Sequence, residues 1–308
     1  MIYTQSVFDS WPIESGSVQA VITSPPYYAL RKYDIPDIQI GDWNGQYGLE
    51  ETPALYVEHT RLWAKEAWRV LRDDGVMFLN LADSYSGSNC GSSDYRGRKQ
   101  DEKFQGQKTG KTNYPNKCQL LIPHRVAIAL VDDGWVLRNT IVWFKGNAMP
   151  ESVTDRFSKK YEYVFMFTKA SKYYFDLDAV KEPLKKSTTQ RIKYLHGTNG
   201  EKHGELRKTS GKPQGDYSHL KDKNPGDVWQ IPTQPSSEKH YAMWPNKLVE
   251  RMVRCGTKAG DTILDPFAGS GTTLKVAKEL QRSAIGIDLG YQDIQERKLC
   301  KIQKKMFV

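Results

Sequence analysis

The sequence predicts an α/β fold built on a largely parallel sheet, and three observations carry that prediction. Short apolar runs alternate along the chain with segments whose apolar residues recur at helical spacing. One run, Thr262-Ile263-Leu264, delivers Asp265 to a loop containing Gly269 and Gly271, and a helix opens at Thr272. Another, Val18 to Thr23, runs straight into the polar stretch Ser24-Pro25-Pro26-Tyr27. In open α/β sheets, ligands sit in crevices beyond the carboxyl ends of strands, which is where both loops fall.

Seven strands are expected in chain order: Ile2 to Thr4, Val18 to Thr23, Val76 to Leu81, Leu137 to Phe144, Tyr163 to Thr168, Thr262 to Leu264 and Ser283 to Asp288. Each is rich in aliphatic or aromatic residues and is bounded by polar or glycine-containing turns. Ala54 to Leu71 reads as a helix, with Leu55, Leu62, Trp63, Ala67, Val70 and Leu71 along one stripe and a stop at Asp73-Asp74-Gly75. Leu120 to Val131 stops likewise at Asp132-Asp133-Gly134, and Trp244 to Cys255 stops at Gly256. A last helix, from about Tyr291 to the end, carries a basic outer face.

Composition narrows the function classes. The 308 residues suffice for a substantial core. A mean hydropathy of −0.65 leaves no window apolar enough to span a membrane. Met1-Ile2-Tyr3-Thr4 lacks the basic and apolar pattern of a secretory signal. Cys90, Cys118, Cys255 and Cys300 form no Cys-x-x-Cys pair, which argues against a zinc site and a disulfide framework alike. His196, His203 and His219 are widely spaced without acidic or cysteine partners, so no metal is expected. The reading is a reducing, cytoplasmic protein, nucleoid-associated in a prokaryote and not secreted.

The net charge of +9 is concentrated. Lys181 to Pro225 holds eleven Lys or Arg against five Asp or Glu, and Tyr95 to Lys111 holds six against two. Both stretches are poor in aliphatic residues and rich in small polar ones, so they read as loops or a loop-rich insert. A basic loop by itself reads first as solvated surface; beside the polar stretch Ser24-Pro25-Pro26-Tyr27, read below as a base pocket, phosphate contact becomes the better reading, with Lys185, Lys186, Arg191, Lys193, Arg96 and Arg98 as the candidate DNA-binding residues.

The glycine loop binds a nucleotide-like ligand on physical grounds. Gly269 and Gly271 let backbone approach a ligand closely, and Asp288 ends the next strand nineteen positions beyond the first glycine, near the spacing expected of an acid that binds ribose hydroxyls. A phosphate loop of the Walker type is excluded, because Pro266 and Thr272 stand where it requires Gly and Lys. The dinucleotide fingerprint lacks its third glycine, since position 274 is Leu274.

Thr23-Ser24-Pro25-Pro26-Tyr27-Tyr28 makes chemical sense as a clamp for a nucleobase amine. An exocyclic amine is a weak nucleophile because its lone pair is delocalised into the ring. Acceptors that draw its two hydrogens into a bent geometry favour a pyramidal nitrogen. The Ser24 hydroxyl and the Pro25 carbonyl are such acceptors, Pro26 helps to fix the carbonyl's direction, and Tyr27 offers a face for a flipped base.

Taken together, Ser24-Pro25-Pro26-Tyr27 and Asp265-Pro266-Phe267-Ala268-Gly269-Ser270-Gly271-Thr272-Thr273 resemble the amino-methyltransferases of DNA. Their order, base motif first and glycine loop last, is similar to the beta class, and the Ser-Pro-Pro-Tyr form resembles the cytosine-N4 branch. Gly75 to Tyr85, Trp135 to Lys145, Tyr161 to Lys169 and Asp227 to Arg251 extend the likeness over most of the chain. The resemblance implies a Rossmann-like seven-stranded methyltransferase sheet, circularly permuted, with a loop-rich target-recognition insert. It also implies S-adenosylmethionine as cofactor, with Asp265, Phe267, Gly269 and Gly271 around its methionine part, Asp288 at its ribose and Thr272 as a further cofactor-binding residue. Trp244, Pro245 and Lys247 fall beside it by the same likeness. The family's early acidic residue is displaced or missing, because the chain there reads Gln5-Ser6-Val7-Phe8-Asp9.

The implied layout is a base-pocket half at 1–180 with a basic loop at 86–118, a target-recognition insert at 181–232, and a cofactor-binding half of the same core at 233–308. Double-stranded DNA is the implied partner, and a cognate restriction endonuclease fits the same resemblance. Adenine N6 remains an alternative target, because both targets are exocyclic amines and the chemistry of serine does not decide between them. RNA as substrate and a nucleic-acid-binding protein without turnover are further alternatives. No cysteine follows a proline, so the nucleophile used for carbon-5 methylation is absent.

Overall fold

The computed structural model describes residues 1–33, 35–87, 113–185, 187, 222–234, 244–291 and 295. The chain forms two compact units, one of Met1–Asp176 with Asp227–Val308 and the other of Leu177–Gly226. The larger unit contains an eight-stranded sheet. Its strands are β1 (Ile2–Thr4), β2 (Val18–Thr23), β5 (Leu71–Leu81), β6 (Val136–Phe144), β7 (Tyr161–Thr168), β10 (Val228–Gln230), β11 (Thr262–Asp265) and β12 (Ser283–Asp288). Across the sheet they run β1, β12, β11, β2, β5, β7, β6, β10.

The two strands that arrive last therefore lie between the first two. β12 pairs in parallel with β1, and β11 pairs in parallel with β2 through Ile263 with Ala20 and Leu264 with Val21. Only β7 is antiparallel to its neighbours, β5 and β6. All seven expected strands are present. β10 is the eighth, a three-residue edge strand on β6 too short to carry a periodicity signal.

Every residue of β2 is buried, as expected of a strand covered on both faces. The covering follows from the alternation of side chains along β5. Met77 and Leu79 join the core formed with Trp63, Ala64, Ala67 and Val70 of α1 (Pro53–Val70) and with Val126 and Leu130 of α2 (Ile122–Asp132). Val76 and Phe78 meet the other layer, where the backbone of Gly256, the last residue of α3 (Asn246–Gly256), approaches so closely that an added Cβ would lie 2.8 Å from Val76 Cγ1. α3 packs in turn on α4 (Thr272–Glu279).

Element boundaries shift where tertiary pairing overrides local pattern. α1 is capped by the Thr52 hydroxyl, which accepts from Leu55 N at 3.2 Å, and it ends at Val70. β5 then begins at once, because Leu71 pairs with Val18 before an irregularity in register. Asp73-Asp74-Gly75, expected as a stop between elements, thus lies inside β5. A hairpin of β3 (Ile38–Ile40) and β4 (Trp43–Gly45), not expected from the sequence, fills the segment between the proline motif and α1. In the smaller unit, β8 (Glu182–Pro183) pairs antiparallel with β9 (Asp222–Lys223) and joins the two ends of that segment. Among the described residues no helix is long and apolar enough to cross a membrane.

Candidate active site

The carboxyl ends of β2 and β11 build the site. Because these strands are neighbours, residues more than two hundred positions apart share one cleft. It encloses about 950 Å³ of non-protein space, open solvent included, and is lined by Ser24 and Pro26 on one side and by Asp265, Phe267, Gly269, Thr272 and Asp288 on the other. Thr23 Oγ1 donates to Asp265 Oδ1 at 2.8 Å and ties the two strand ends together directly.

Asp265 is buried, and its carboxylate also accepts from Thr273 Oγ1 at 2.6 Å and from Phe267 N at 3.1 Å. Burial outweighs these bonds and pushes its pKa up to about 6. Asp265 therefore holds the glycine loop to the sheet as well as facing the cleft. Gly269 and Gly271 both adopt positive φ, +49° and +78°, which a residue with a Cβ disfavours. Gly271 is the residue before α4, and the amide of Gln295 donates to Gly269 O at 2.7 Å and closes the back of the loop. Phe267 is anchored by stacking on Tyr47, centroids 5.6 Å apart, and by an edge contact with Trp63 at 5.3 Å.

Asp288, at the end of β12, accepts from Gly269 N at 2.6 Å and from Gly290 N at 2.9 Å. Burial lifts it too to about 6. Around it the wall turns apolar, with Phe8, Ile35 and Pro36 facing the same space. A carboxylate for hydroxyl groups beside an apolar wall for a flat ring is a donor set that fits the ribose and adenine of a nucleoside cofactor.

The proline motif meets a polar network that the sequence did not disclose. Tyr27 OH lies 2.7 Å from Glu162 Oε2 and 2.8 Å from Asn80 Oδ1, while Ser24 Oγ lies 3.1 Å from Tyr27 OH and 3.3 Å from Asn80 Oδ1. Asn80 is fixed by donating to Tyr163 O at 2.9 Å, and Lys145 forms an ion pair with the other oxygen of Glu162. Burial first, and the Glu162 charge second, hold the Tyr27 phenol well above its usual pKa, so it stays protonated. Tyr56 OH donates to Pro26 O at 2.9 Å and braces the motif from below, and Pro25 itself is buried. Neither Pro25 nor Tyr27 is among the residues lining the cleft. The Tyr27 hydroxyl is committed to the network behind Ser24.

The other expected residues divide. Trp244 lines the cleft, whereas Pro245 is buried at the start of α3 and Lys247 is exposed on that helix, and neither is part of the lining. Gln5, Ser6, Val7 and Phe8 line the cleft where the early acid was looked for, and Asp9 turns away to accept from Ser6 N at 3.1 Å. Lys185 is exposed in the smaller unit. Lys186, Arg191, Lys193, Arg96 and Arg98 lie outside the described residues, as do His196, His203 and His219 and all of the expected last helix except Tyr291 and Gln295. Among the described residues no cluster of His, Cys, Asp or Glu could hold a metal ion. Asn80, Glu162 and Lys145 were missed, as were Tyr33 and Gln46, which line the cleft and are held together by Gln46 Oε1 accepting from Tyr33 N at 3.0 Å. Asn80 sits inside the expected strand Val76 to Leu81, where a polar residue in a buried strand was the available signal, whereas Glu162 lies one residue before the expected start of β7 at Tyr163 and carried no such signal.

Comparison with known proteins accords with this geometry. A DNA methylase family model of the N4/N6 class matches residues 18–297. The chain belongs to that family, the N4/N6 DNA methyltransferases, whose methyl donor is S-adenosylmethionine. It is 35% identical over 294 residues to the type II methyltransferase M.Cfr9I of Citrobacter freundii, covering 93% of this chain and 83% of that protein. It is 35% identical over 277 residues to M.XycI of Xanthomonas campestris pv. cyanopsidis, covering 90% and 79%. In fold it is similar to the cytosine-N4-specific PvuII DNA methyltransferase, with a TM-score of 0.61, 18% identity, and coverage of 97% of this chain and 92% of that one. The putative DNA modification methylase TTHA0409 of Thermus thermophilus, solved with S-adenosyl-L-methionine, gives a TM-score of 0.59 at 19% identity, with coverage of 98% and 93%.

Proposed function

We propose that this DNA methyltransferase transfers a methyl group from S-adenosylmethionine to the exocyclic N4 of a cytosine flipped out of duplex DNA. The observation that carries the reading is the convergence of Ser24 and the Asp265 to Thr272 loop on one cleft, with Thr23 and Asp265 hydrogen-bonded across the strand ends. The Ser-Pro-Pro-Tyr form of the base motif supports cytosine over adenine, and the fold likeness to a cytosine-N4-specific enzyme agrees with it. In this reading Asp288 accepts from ribose hydroxyls, Phe8, Ile35 and Pro36 flank adenine, and Asp265 faces the positive charge of the methionine part, all of them residues that line the cleft.

The network behind Ser24 prepares its oxygen for the amine. Ser24 has one hydroxyl proton, and Tyr27 OH and Asn80 Oδ1 both lie within its reach, so the proton is directed inward and the oxygen's free lone pair faces the cleft. Ser24 Oγ and the Pro25 carbonyl then accept the two amine hydrogens and free the nitrogen lone pair for attack. Bound S-adenosylmethionine supplies a methyl on a sulfonium centre, with a neutral thioether as leaving group. After the new bond forms, the nitrogen sheds one proton to Ser24 Oγ. The serine proton passes to Tyr27, and the Tyr27 proton passes to Glu162 Oε2, where Lys145 balances the carboxylate until then.

The unit Leu177–Gly226 is assigned to target recognition, since it carries most of the excess positive charge. A restriction endonuclease with the same target sequence is the partner that such an enzyme would protect DNA against. The reading is tested by transfer of labelled methyl groups from S-adenosylmethionine to mixed-sequence duplex DNA. Label in the DNA with wild type, entering at least about ten-fold more slowly with Ser24→Ala, supports it. DNA binding without label in either protein would leave a binding protein of the same fold.

A further inference from the structure

The loop between β6 and β7, residues 145–160, stands at the same sheet edge as Ser24. This follows from register, because Leu81 at the end of β5 pairs with Tyr163 and Phe144 pairs with Tyr161, while β5 runs parallel to β2. The loop holds Lys145, Arg156, Lys159 and Lys160 against Glu151 and Asp155. Near its end Phe157 is 97% exposed. Among the described residues no other large hydrophobic side chain is so exposed.

The segment around Phe157 is held from several sides. Arg156 donates to Glu151 Oε2 at 2.7 Å and to Phe157 O at 3.0 Å, and its guanidinium lies 4.2 Å from the centroid of the Tyr85 ring. Lys117 pairs with Asp155 at 2.6 Å, and Lys159 donates to Asp83 O just beyond the end of β5. A fully exposed phenyl ring on a braced support is presented at low entropic cost. It also stands five positions before Glu162, whose carboxylate holds Tyr27, so chain length alone limits the separation to at most about 18 Å. A flipped base leaves a gap in the stack close to the pocket it enters, and apolar side chains are what fill such gaps.

We propose that Phe157 is the wedge that enters the DNA stack when the target base is extruded, with the exposed Lys160 set against a flanking phosphate. The inference rests on the base-flipping reading of the Ser24 cleft and names the part of the DNA that this loop takes. Its test is kcat/KM for Phe157→Ala and Phe157→Trp on two duplexes, one fully paired and one in which the target base faces a mismatch and is already weakly stacked. Phe157→Ala is expected to lose about ten- to a hundred-fold on the paired duplex and most of that deficit should vanish on the mismatched one. Phe157→Trp should stay near wild type, and S-adenosylmethionine affinity should be unchanged in both.

Equal activity of Phe157→Ala and wild type on the paired duplex would overturn the wedge, as would an equal loss on both duplexes. A wild-type protein without methyl transfer on either duplex would instead overturn the reading of the cleft. Because the ring is exposed, the substitution removes no core contact, and thermal unfolding of Phe157→Ala should coincide with that of wild type.

Discussion

Replacing Gly271 tests how strictly the backbone of the glycine loop is required. Its φ of +78° lies in the left-handed region, where a residue with a Cβ is disfavoured by roughly 1–2 kcal/mol. An alanine Cβ would lie 3.3 Å from Gln295 Cγ and 3.5 Å from Gln295 Cα, and Gln295 is the residue whose amide holds Gly269 O. Strain and crowding thus act on the same loop. If the strain is relieved by departure from the binding conformation, 1–2 kcal/mol lowers the ratio of that conformation to its alternatives roughly 5- to 30-fold, and the apparent Kd for S-adenosylmethionine rises by up to that factor. Gly271→Val, with its branched Cβ, should lose more. Gly16→Ala is the control, since Gly16 has a φ of +65° and no atom within 4 Å of the added Cβ and lies outside the cleft lining. It should lose stability alone. Calorimetric titration with S-adenosylmethionine makes the comparison, and an unchanged Kd for Gly271→Ala would refute the account of the loop.

Ser24→Ala should retain cofactor and DNA binding and lose methyl transfer by about ten- to a thousand-fold, the range for deleting one preorganised hydrogen-bonding group, as read by single-turnover kinetics. Glu162→Gln should lower kcat with little change in cofactor Kd and shift the pH profile of kcat, because the terminal proton acceptor of the network is removed. The carboxyls of Asp265 and Asp288, both lifted to about 6 from an ordinary 3.8, bind protons more tightly folded than unfolded. Their contribution to the stability of the cofactor-free protein is full below about pH 4 and is lost as pH rises through 6. Asp288→Asn should accordingly gain stability relative to wild type between pH 4 and 6.5 in urea titrations, while binding S-adenosylmethionine more weakly at neutral pH. Alanine at Lys185, Lys186, Arg191 and Lys193 together should lower DNA affinity and flatten its salt dependence by roughly 0.9 in slope for each phosphate that is no longer neutralised, and an unchanged slope would move the DNA surface away from this segment.

Much of the sheet was legible because buried parallel strands are written as continuous apolar runs, and β2, β11 and β12 are of that kind. The two motifs that meet in the cleft were legible for a second reason, since each follows such a run directly. β10 and the β3–β4 hairpin are three residues to a strand and depend on pairing partners rather than on their own pattern. The support for Ser24 was hidden in another way. Asn80 looks in sequence like an interruption of an apolar strand and Glu162 like a residue of the loop before one, and only the adjacency of β2, β5 and β7 shows that they converge on one tyrosine. Trp244, Pro245 and Lys247 entered the expected site together by family likeness; Trp244 lines the cleft, while Pro245 is buried at the entry to α3 and Lys247 is exposed on that helix.

The central claim is that this cleft methylates the N4 of cytosine. Its most direct test is to methylate duplex DNA with the purified protein and S-adenosylmethionine, digest the product to nucleosides and identify the modified base by mass spectrometry. The account predicts N4-methylcytosine with wild type and its formation at least about ten-fold more slowly with Ser24→Ala. N6-methyladenine in its place, or N4-methylcytosine at the wild-type level from Ser24→Ala, would contradict it.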